Sequence, residues 1–553
     1  MRLTKLSSLV SFALLLSVFV VACSNTSGTE EETKANEEVK KELHLLSSDT
    51  IPTMDAHMGT DVISFQFIGA TKEGLYRLGD NLELKPGIAK DHTVSKDGLT
   101  WTFNLRDDAK WSNGDPVTAH DFVYAWQRAV NPDTGSEYGP YLMGGVIKNA
   151  TAINKGEKTL DELGVKAKGD HMLVVTLEKP TPYFKSLTTR STFMPFNQKF
   201  IKKQGKNYAT STDTMLFNGP FKLTNWESTA SSWNLEKNPK YWDAETVQVE
   251  KMTFDVVKDP QTAVDLYEAG KADRVDLTSD LVDKYASHSD FAVTPETALF
   301  YLKFNQTTSD ALANVNIRKA LSKAIDKKSM VNELLNDGSI VSNGFVPQNF
   351  AKHPETGKGF REINGPLVTY NVEKAQALWQ KGLKEIGKEK VELELLSSDG
   401  EVTKTTTEYI ANQLEKNLPG LSIELKRVPF EQRLHADTTM NYDIELAGWG
   451  PSYLDLYTWL DLWLTDGGNN KMGYSNKEYD QLVKSTVDEF ALEPVKRFEA
   501  SLKAEKILAK DATVAPLYQS GRSQLISPKI EGVISRPFGP KYEYKWTRVA
   551  PTE

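Results

Sequence analysis

Trp449, Tyr453, Tyr457 and Trp459 follow one another closely behind Gly448 and Gly450, with Ser452 and Asp455 set between them. Clustered aromatics and glycines of this kind suit ligand binding. Indole and phenol rings wall apolar pockets and keep one polar tip, and glycine lets a second backbone come close. Reactive constellations are missing from the rest of the chain. The eight histidines (44, 57, 92, 120, 171, 288, 353 and 435) include no pair four residues apart, and each reads as a surface or hydrogen-bonded side chain. There is no His-Glu-x-x-His zinc helix, no Gly-x-Ser-x-Gly nucleophile turn and no phosphate-binding loop. Acids abound, but Asp107 and Asp108 read as turn charges, and no two carboxylates stand out as a glycosidase pair. The one cysteine, Cys23, leaves the mature chain without a disulfide, a Cys-based metal site or a thiol nucleophile.

The aromatic stretch needs elements to hold it. Asp443 to Ala447 alternates as a strand, which runs into Gly448-Trp449-Gly450 before Pro451 ends its ladder. An aromatic at the carboxyl end of an α/β strand sits where such sheets bind ligands. Upstream, Leu99 to Leu105 is an alternating strand after a Lys96-Asp97-Gly98 turn. Thr118 and Asp121 start a helix with Phe122, Ala125, Trp126 and Ala129 on its apolar stripe. Pro260 to Gly270 reads as a helix closed by its glycine. Ile317–Asn336, Val372–Ile386, Thr405–Leu418 and about 494–510 are further helices, and Val391–Leu395 and Leu421–Leu425 are strands. Strands alternating with helices imply an α/β sheet with crossover helices.

The chain has 553 residues, enough for two or three lobes. Its net charge is −9, falling to −11 once Arg2 and Lys5 leave with the leader, which speaks against nucleic acid as a partner. Residues 1–22 are a signal peptide: Arg2 and Lys5 are the positive end and Leu9–Val21 a short apolar run. Val20-Val21-Ala22-Cys23 resembles the lipobox of bacterial lipoproteins, which implies an acylated Cys23 as the first residue after cleavage and a membrane lipid anchor. Residues 23–42, polar and free of aromatics, are a flexible tether.

In the body, Asp97–Arg106 followed by Lys110–Phe122 resembles the signature of the oligopeptide-binding proteins of ABC importers. Gly219-Pro220-Phe221 with Trp226, Asn238–Trp242, Asn316–Leu321 with Ala324–Asp326, Gly344–Pro347 and Gly448-Trp449 are similar to that family's later landmarks, in its order. The resemblance implies a type II periplasmic-binding-protein fold with two main lobes, two hinge crossovers and an inserted third lobe. Lobe one would be 43–75 with 195–298 and 520–553, the inserted lobe 76–194, and lobe two 299–519. Phe300–Asn305 and Val514–Tyr518 resemble the crossover strands.

The resemblance further implies a monomer that takes an oligopeptide and passes it to an ABC permease with ATPase subunits, without catalysis and without a cofactor. A peptide bound as an added strand is held by its backbone, and its side chains enter wet pockets. Gly448 and Gly450 would lie beside the ligand backbone, and Trp449 would wall a pocket. Thr60 with Val62, Tyr138 or Tyr141, Phe430 and Tyr453 are the remaining contacts. Many family members carry an aspartate, where Ser452 stands, that pairs with the peptide's ammonium group. Leu446 and Asp437 stand where some members place arginines near its carboxylate. Asp455 or another acid must substitute, or the free amino terminus is not held there. The ligand would then be a longer, rather apolar peptide, or one signalling peptide such as a pheromone. Relatives on this fold also bind nickel chelates, haem or glutathione. The leader and acidic tether fit the outer face of a Gram-positive cell membrane.

Overall fold

The computed structural model describes residues 41–278 and 280–550. Cys23, the leader and nearly all of the tether lie outside the described residues.

One mixed sheet runs through the body. Its strands lie in the order Leu421–Val428, Val391–Ser398, Ile444–Trp449, Phe291–Phe304, Val514–Ile526, Arg274–Leu277, Glu42–Ser47, Lys251–Val256, Ser232–Lys237 and Phe221–Thr224. The two long strands in the middle join its halves. Phe291–Phe304 and Val514–Ile526 pair antiparallel, with register shifts between Pro295 and Leu299 and between Phe300 and Tyr301. Fourteen residues at about 3.3 Å each reach about 45 Å, so one strand serves both halves. Both run well beyond the segments expected at 300–305 and 514–518. Pro295 has no N–H to give the ladder, and it is tolerated because it stands next to a register shift.

A separate four-stranded antiparallel sheet, Ala89–Val94, Thr100–Leu105, Met172–Thr176 and Val165–Ala167, carries the helix Ala119–Val130. Thr100–Leu105 alternates between half-buried and buried positions, as its sequence required. The helix starts where Asp121 accepts the Thr118 N–H at 2.9 Å. Its Phe122, Ala125, Trp126 and Ala129 are fully buried.

Three helices differ from their patterns. The run expected at 317–336 breaks into Val315–Lys323, Lys327–Ser329 and a π-helical turn, Met330–Leu335. Asp326 causes the break by accepting from the N–H groups of Lys328 and Ser329 at 3.1 and 3.2 Å, the usual competition between a short acidic side chain and the helix ladder. The helix expected from Thr405 begins at Glu401. Pro260 starts its helix, which ends at Glu268, with Gly270 two residues on at φ +66°.

Buried side chains form several clusters. One gathers residues from Leu43 to Phe254 and takes in Tyr453, Val487, Tyr542 and Tyr544 from far along the chain. Others draw almost wholly on residues 299–518.

Candidate ligand-binding site

The strand Ile444–Trp449 is held on one side only for most of its length. It pairs antiparallel with Phe291–Phe304 from Phe304↔Ile444 to Leu299↔Trp449. On the other edge only Ile444 and Glu445 pair, in parallel, with Leu395 and Leu396. From Leu446 onward that edge has no strand partner among the described residues, so it presents ladder groups to whatever extended chain comes beside it.

The two glycines have different reasons. A Cβ on Gly448 would come within 2.8 Å of the Phe300 ring, which stacks on Tyr518 at 4.8 Å. A Cβ on Gly450 would meet nothing within 4 Å. Gly448 thus seats the strand against its neighbour, and Gly450 leaves open space. Trp449 is half-buried against the surrounding core, and its indole N–H has no partner among the described residues.

The loop after Gly450 is tied to the first half of the chain. Tyr453 stacks on Tyr183 at 4.1 Å, with the rings 11° from parallel. The Leu454 N–H donates to Ser186 Oγ at 2.8 Å, and Tyr141 Oη lies 3.2 Å from Ser452 Oγ. Ser452 itself is buried and donates its N–H to Thr458 Oγ1 at 3.1 Å. Tyr141 meets Tyr138 edge-on at 5.8 Å, and Tyr138 meets Phe65 edge-on at 5.6 Å. Phe65 lies on the helix Val62–Thr71, capped by Asp61, so a chain of contacts runs from that helix to Ser452. Thr60 and Val62 are exposed at its start. Phe430 opens the helix Phe430–Thr438, and its side chain lies outside the described residues.

Asp455 is already occupied. Both of its oxygens accept from Arg497 Nη2 at 2.8 Å, and one also accepts the Tyr457 N–H at 2.9 Å. The acid left without a cation is Asp461, one helical turn beyond Tyr457. Burial and the neighbouring Asp455 push its carboxyl up to about 7. Its charge is felt by the phenols of Tyr141, Tyr183, Tyr453 and Tyr457. Sequence reasoning passed over Asp461; the available signal was an acid four residues after Tyr457, on the same helix face.

Leu446 and Asp437 also have definite surroundings. Leu446 is buried, and Asp437 pairs with Lys303. Lys303 lies 3.7 Å from Glu445, which pairs in turn with Arg433.

A family profile described as "Bacterial extracellular solute-binding proteins, family 5 Middle" matches residues 83–471. The chain is 35% identical to the dipeptide-binding protein of Lactococcus lactis subsp. cremoris, over 99% of each chain. It is 32% identical to the oligopeptide-binding protein OppA of Bacillus subtilis, over 97% of this chain and 98% of that one. Among solved structures, Listeria monocytogenes OppA bound to peptide superposes with a TM-score of 0.78 at 40% identity, over 93% of this chain and all of that one. The pheromone receptor PrgZ superposes with a TM-score of 0.79 at 36% identity, with the same shares.

Proposed function

Because the chain belongs to the bacterial extracellular solute-binding proteins of family 5, we propose that it captures oligopeptides outside the cell and hands them to an ABC permease. Its type II periplasmic-binding-protein fold is the fold of that family. The observation that carries the peptide reading is the free edge of Leu446–Trp449, continued by the open space at Gly450. A peptide laid there as an added strand receives main-chain hydrogen bonds whatever its sequence. Trp449 walls the pocket for one side chain. Tyr138, Tyr141 and Ser452 close the site from the other side, and Thr60 and Val62 border the approach. Asp461 is the acid that meets a peptide's ammonium group, since Asp455 is neutralised by Arg497.

Lobe one (43–75, 195–298 and 520–553) and lobe two (299–519) swing on the two long strands, and the inserted lobe 76–194 moves with lobe one. The register shifts near Pro295 and Phe300 suit a hinge, because they interrupt the ladder there. Acylation of Cys23 holds the protein on the outer face of the cell membrane, where it works as a monomer with a permease and its ATPase subunits. No helix of the described residues is long and apolar enough to cross a membrane. Replacing Cys23 with alanine should release the protein into the medium.

The experiment for the peptide reading is mass spectrometry of what acid releases from protein purified without residues 1–23. A ladder of mixed peptides fits a general importer. One dominant peptide fits a dedicated receptor, a reading supported by the likeness to PrgZ. A metal chelate, haem or glutathione with no peptide would overturn it.

A further inference from the structure

A second cavity opens at the other half of the sheet. It measures about 410 Å³ and lies where Glu42–Ser47, Lys251–Val256 and Arg274–Leu277 end and the helices Val62–Thr71 and Pro260–Glu268 begin. The carboxyl ends of sheet strands are the general place for ligands in α/β folds. Val62 lines this cavity and, on the reading above, borders the peptide's path.

Arg274 lines the cavity and is 8% exposed. Its guanidinium lies 3.6 Å from the centre of the Tyr542 ring and donates from Nη2 to Tyr544 Oη at 3.1 Å. Nη1 is buried and has no partner. Among the described residues no carboxylate lies within ion-pair distance of Arg274; Asp276 attracts it from further off, and the acids around the cavity have closer partners. Asp276 accepts from Lys541 Nζ at 2.9 Å and from Gln524 Nε2 at 2.6 Å. Asp259 caps its helix through the Thr262 N–H, and Asp49 pairs with Lys258. A buried guanidinium in direct contact with only a phenol and an aromatic face, with Asp276 attracting it from beyond ion-pair distance, is an incomplete ion pair. Its planar fork suits a carboxylate.

We propose that the Arg274 cavity is a specificity pocket for an acidic side chain of the bound peptide. Glu or Asp enters past Val62 and pairs with the Arg274 guanidinium. The inference rests on the peptide reading and adds one sequence preference to a backbone-driven site.

The test uses alanine-rich nonapeptides carrying one Glu, moved along the chain, each matched by its Gln counterpart. Binding is measured by calorimetry to the protein lacking residues 1–23. At one position the Glu peptide should bind about tenfold tighter or more, the worth of one charge-assisted hydrogen bond. Arg274→Gln should bring that ratio to about one. Ala263→Phe, which narrows the cavity from its wall and leaves the arginine in place, should do the same even if the arginine variant folds poorly. A Glu-to-Gln ratio near one at every position, or a preference that survives both substitutions, overturns the pocket while leaving peptide capture standing. Glutarate binding alone, lost in Arg274→Gln with no peptide preference, would make the cavity a small-anion site and overturn it too. If none of the peptides binds, the failure lies with the peptide reading, and mass spectrometry of the released ligand shows that independently.

Discussion

Two buried charge clusters, one in each half of the molecule, solve the same problem in opposite ways. In the first, Arg77 donates to Glu73 at 2.9 Å and to Glu543 at 2.8 Å, and Arg536 meets Glu543 at 3.1 Å. Arg77 also donates to the carbonyls of Gly69 and Lys72. All four side chains are at most 4% exposed. Two forked cations hold two carboxylates: burial pushes the Glu543 carboxyl up, but Arg77 and Arg536, with the hydrogen bonds from Arg77 and the Lys545 N–H, together hold it below its usual range. In the second, one lysine is shared: Lys303 lies between Asp437 and Glu445. Glu445 is fully buried, and one of its oxygens accepts no hydrogen bond. Burial pushes its carboxyl up to about 7, Asp437 adds to the rise, and Lys303 and Arg433 only partly offset it. The difference lies in the balance of charge: two arginines face Glu73 and Glu543 in the first cluster, whereas in the second Glu445 shares Lys303 with Asp437 and has Arg433 on one oxygen only. A planar fork satisfies several oxygens at once, whereas an ammonium group serves as a point charge. The first cluster is a fixed stitch between the first helix and the C-terminal segment; the second keeps a raised carboxyl on the very strand that carries Leu446.

The comparison breaks most severely at Arg77. Arg77→Met strands Glu73 and Glu543 in a dry interior and should cost about 3–5 kcal/mol of stability, read by urea denaturation. Lys303→Met should cost less, about 1–3 kcal/mol, because Asp437 is partly exposed and Glu445 already tends to the neutral form. That loss should be smaller at pH 5 than at pH 8.

Glu445→Gln sharpens the contrast through pH. A carboxyl raised from 4.5 to about 7 on folding binds its proton more tightly in the folded state. Its contribution is therefore full below about 4.5 and is lost as pH rises through about 7. The difference in stability between wild type and Glu445→Gln should drift across that window; a flat difference would contradict the assignment. The smallest effect belongs to the loop. Tyr141→Phe removes one partly exposed hydrogen bond to Ser452 and should weaken peptide affinity about threefold to tenfold by calorimetry.

Much of the fold was legible because its signals are local. The Val372–Ile386 helix matches its expected bounds, and Thr118 with Asp121 marks a helix start. The strand leading into Gly448-Trp449 was legible too, although it continues through both residues before Gly450. What stayed hidden depends on partners distant in sequence. Nothing near Asp455 says that Arg497 will neutralise it, and nothing near Tyr453 says that Tyr183 will stack on it. Arg274 gains its meaning only from Tyr542 and Tyr544, which the C-terminal segment brings back to the first half of the sheet. The central strands extend past the 300–305 and 514–518 segments because the rest of their ladder depends on pairing with each other across a long stretch of sequence.

The central claim is that a peptide completes the sheet at the free edge of Leu446–Gly450. Amide hydrogen exchange across that segment, followed with and without a peptide recovered from the protein, tests it most directly. Slower exchange at these amides on adding peptide, stronger than at the already paired strand Val391–Ser398, is the predicted result. Unchanged exchange there, with protection appearing at another surface, would contradict it.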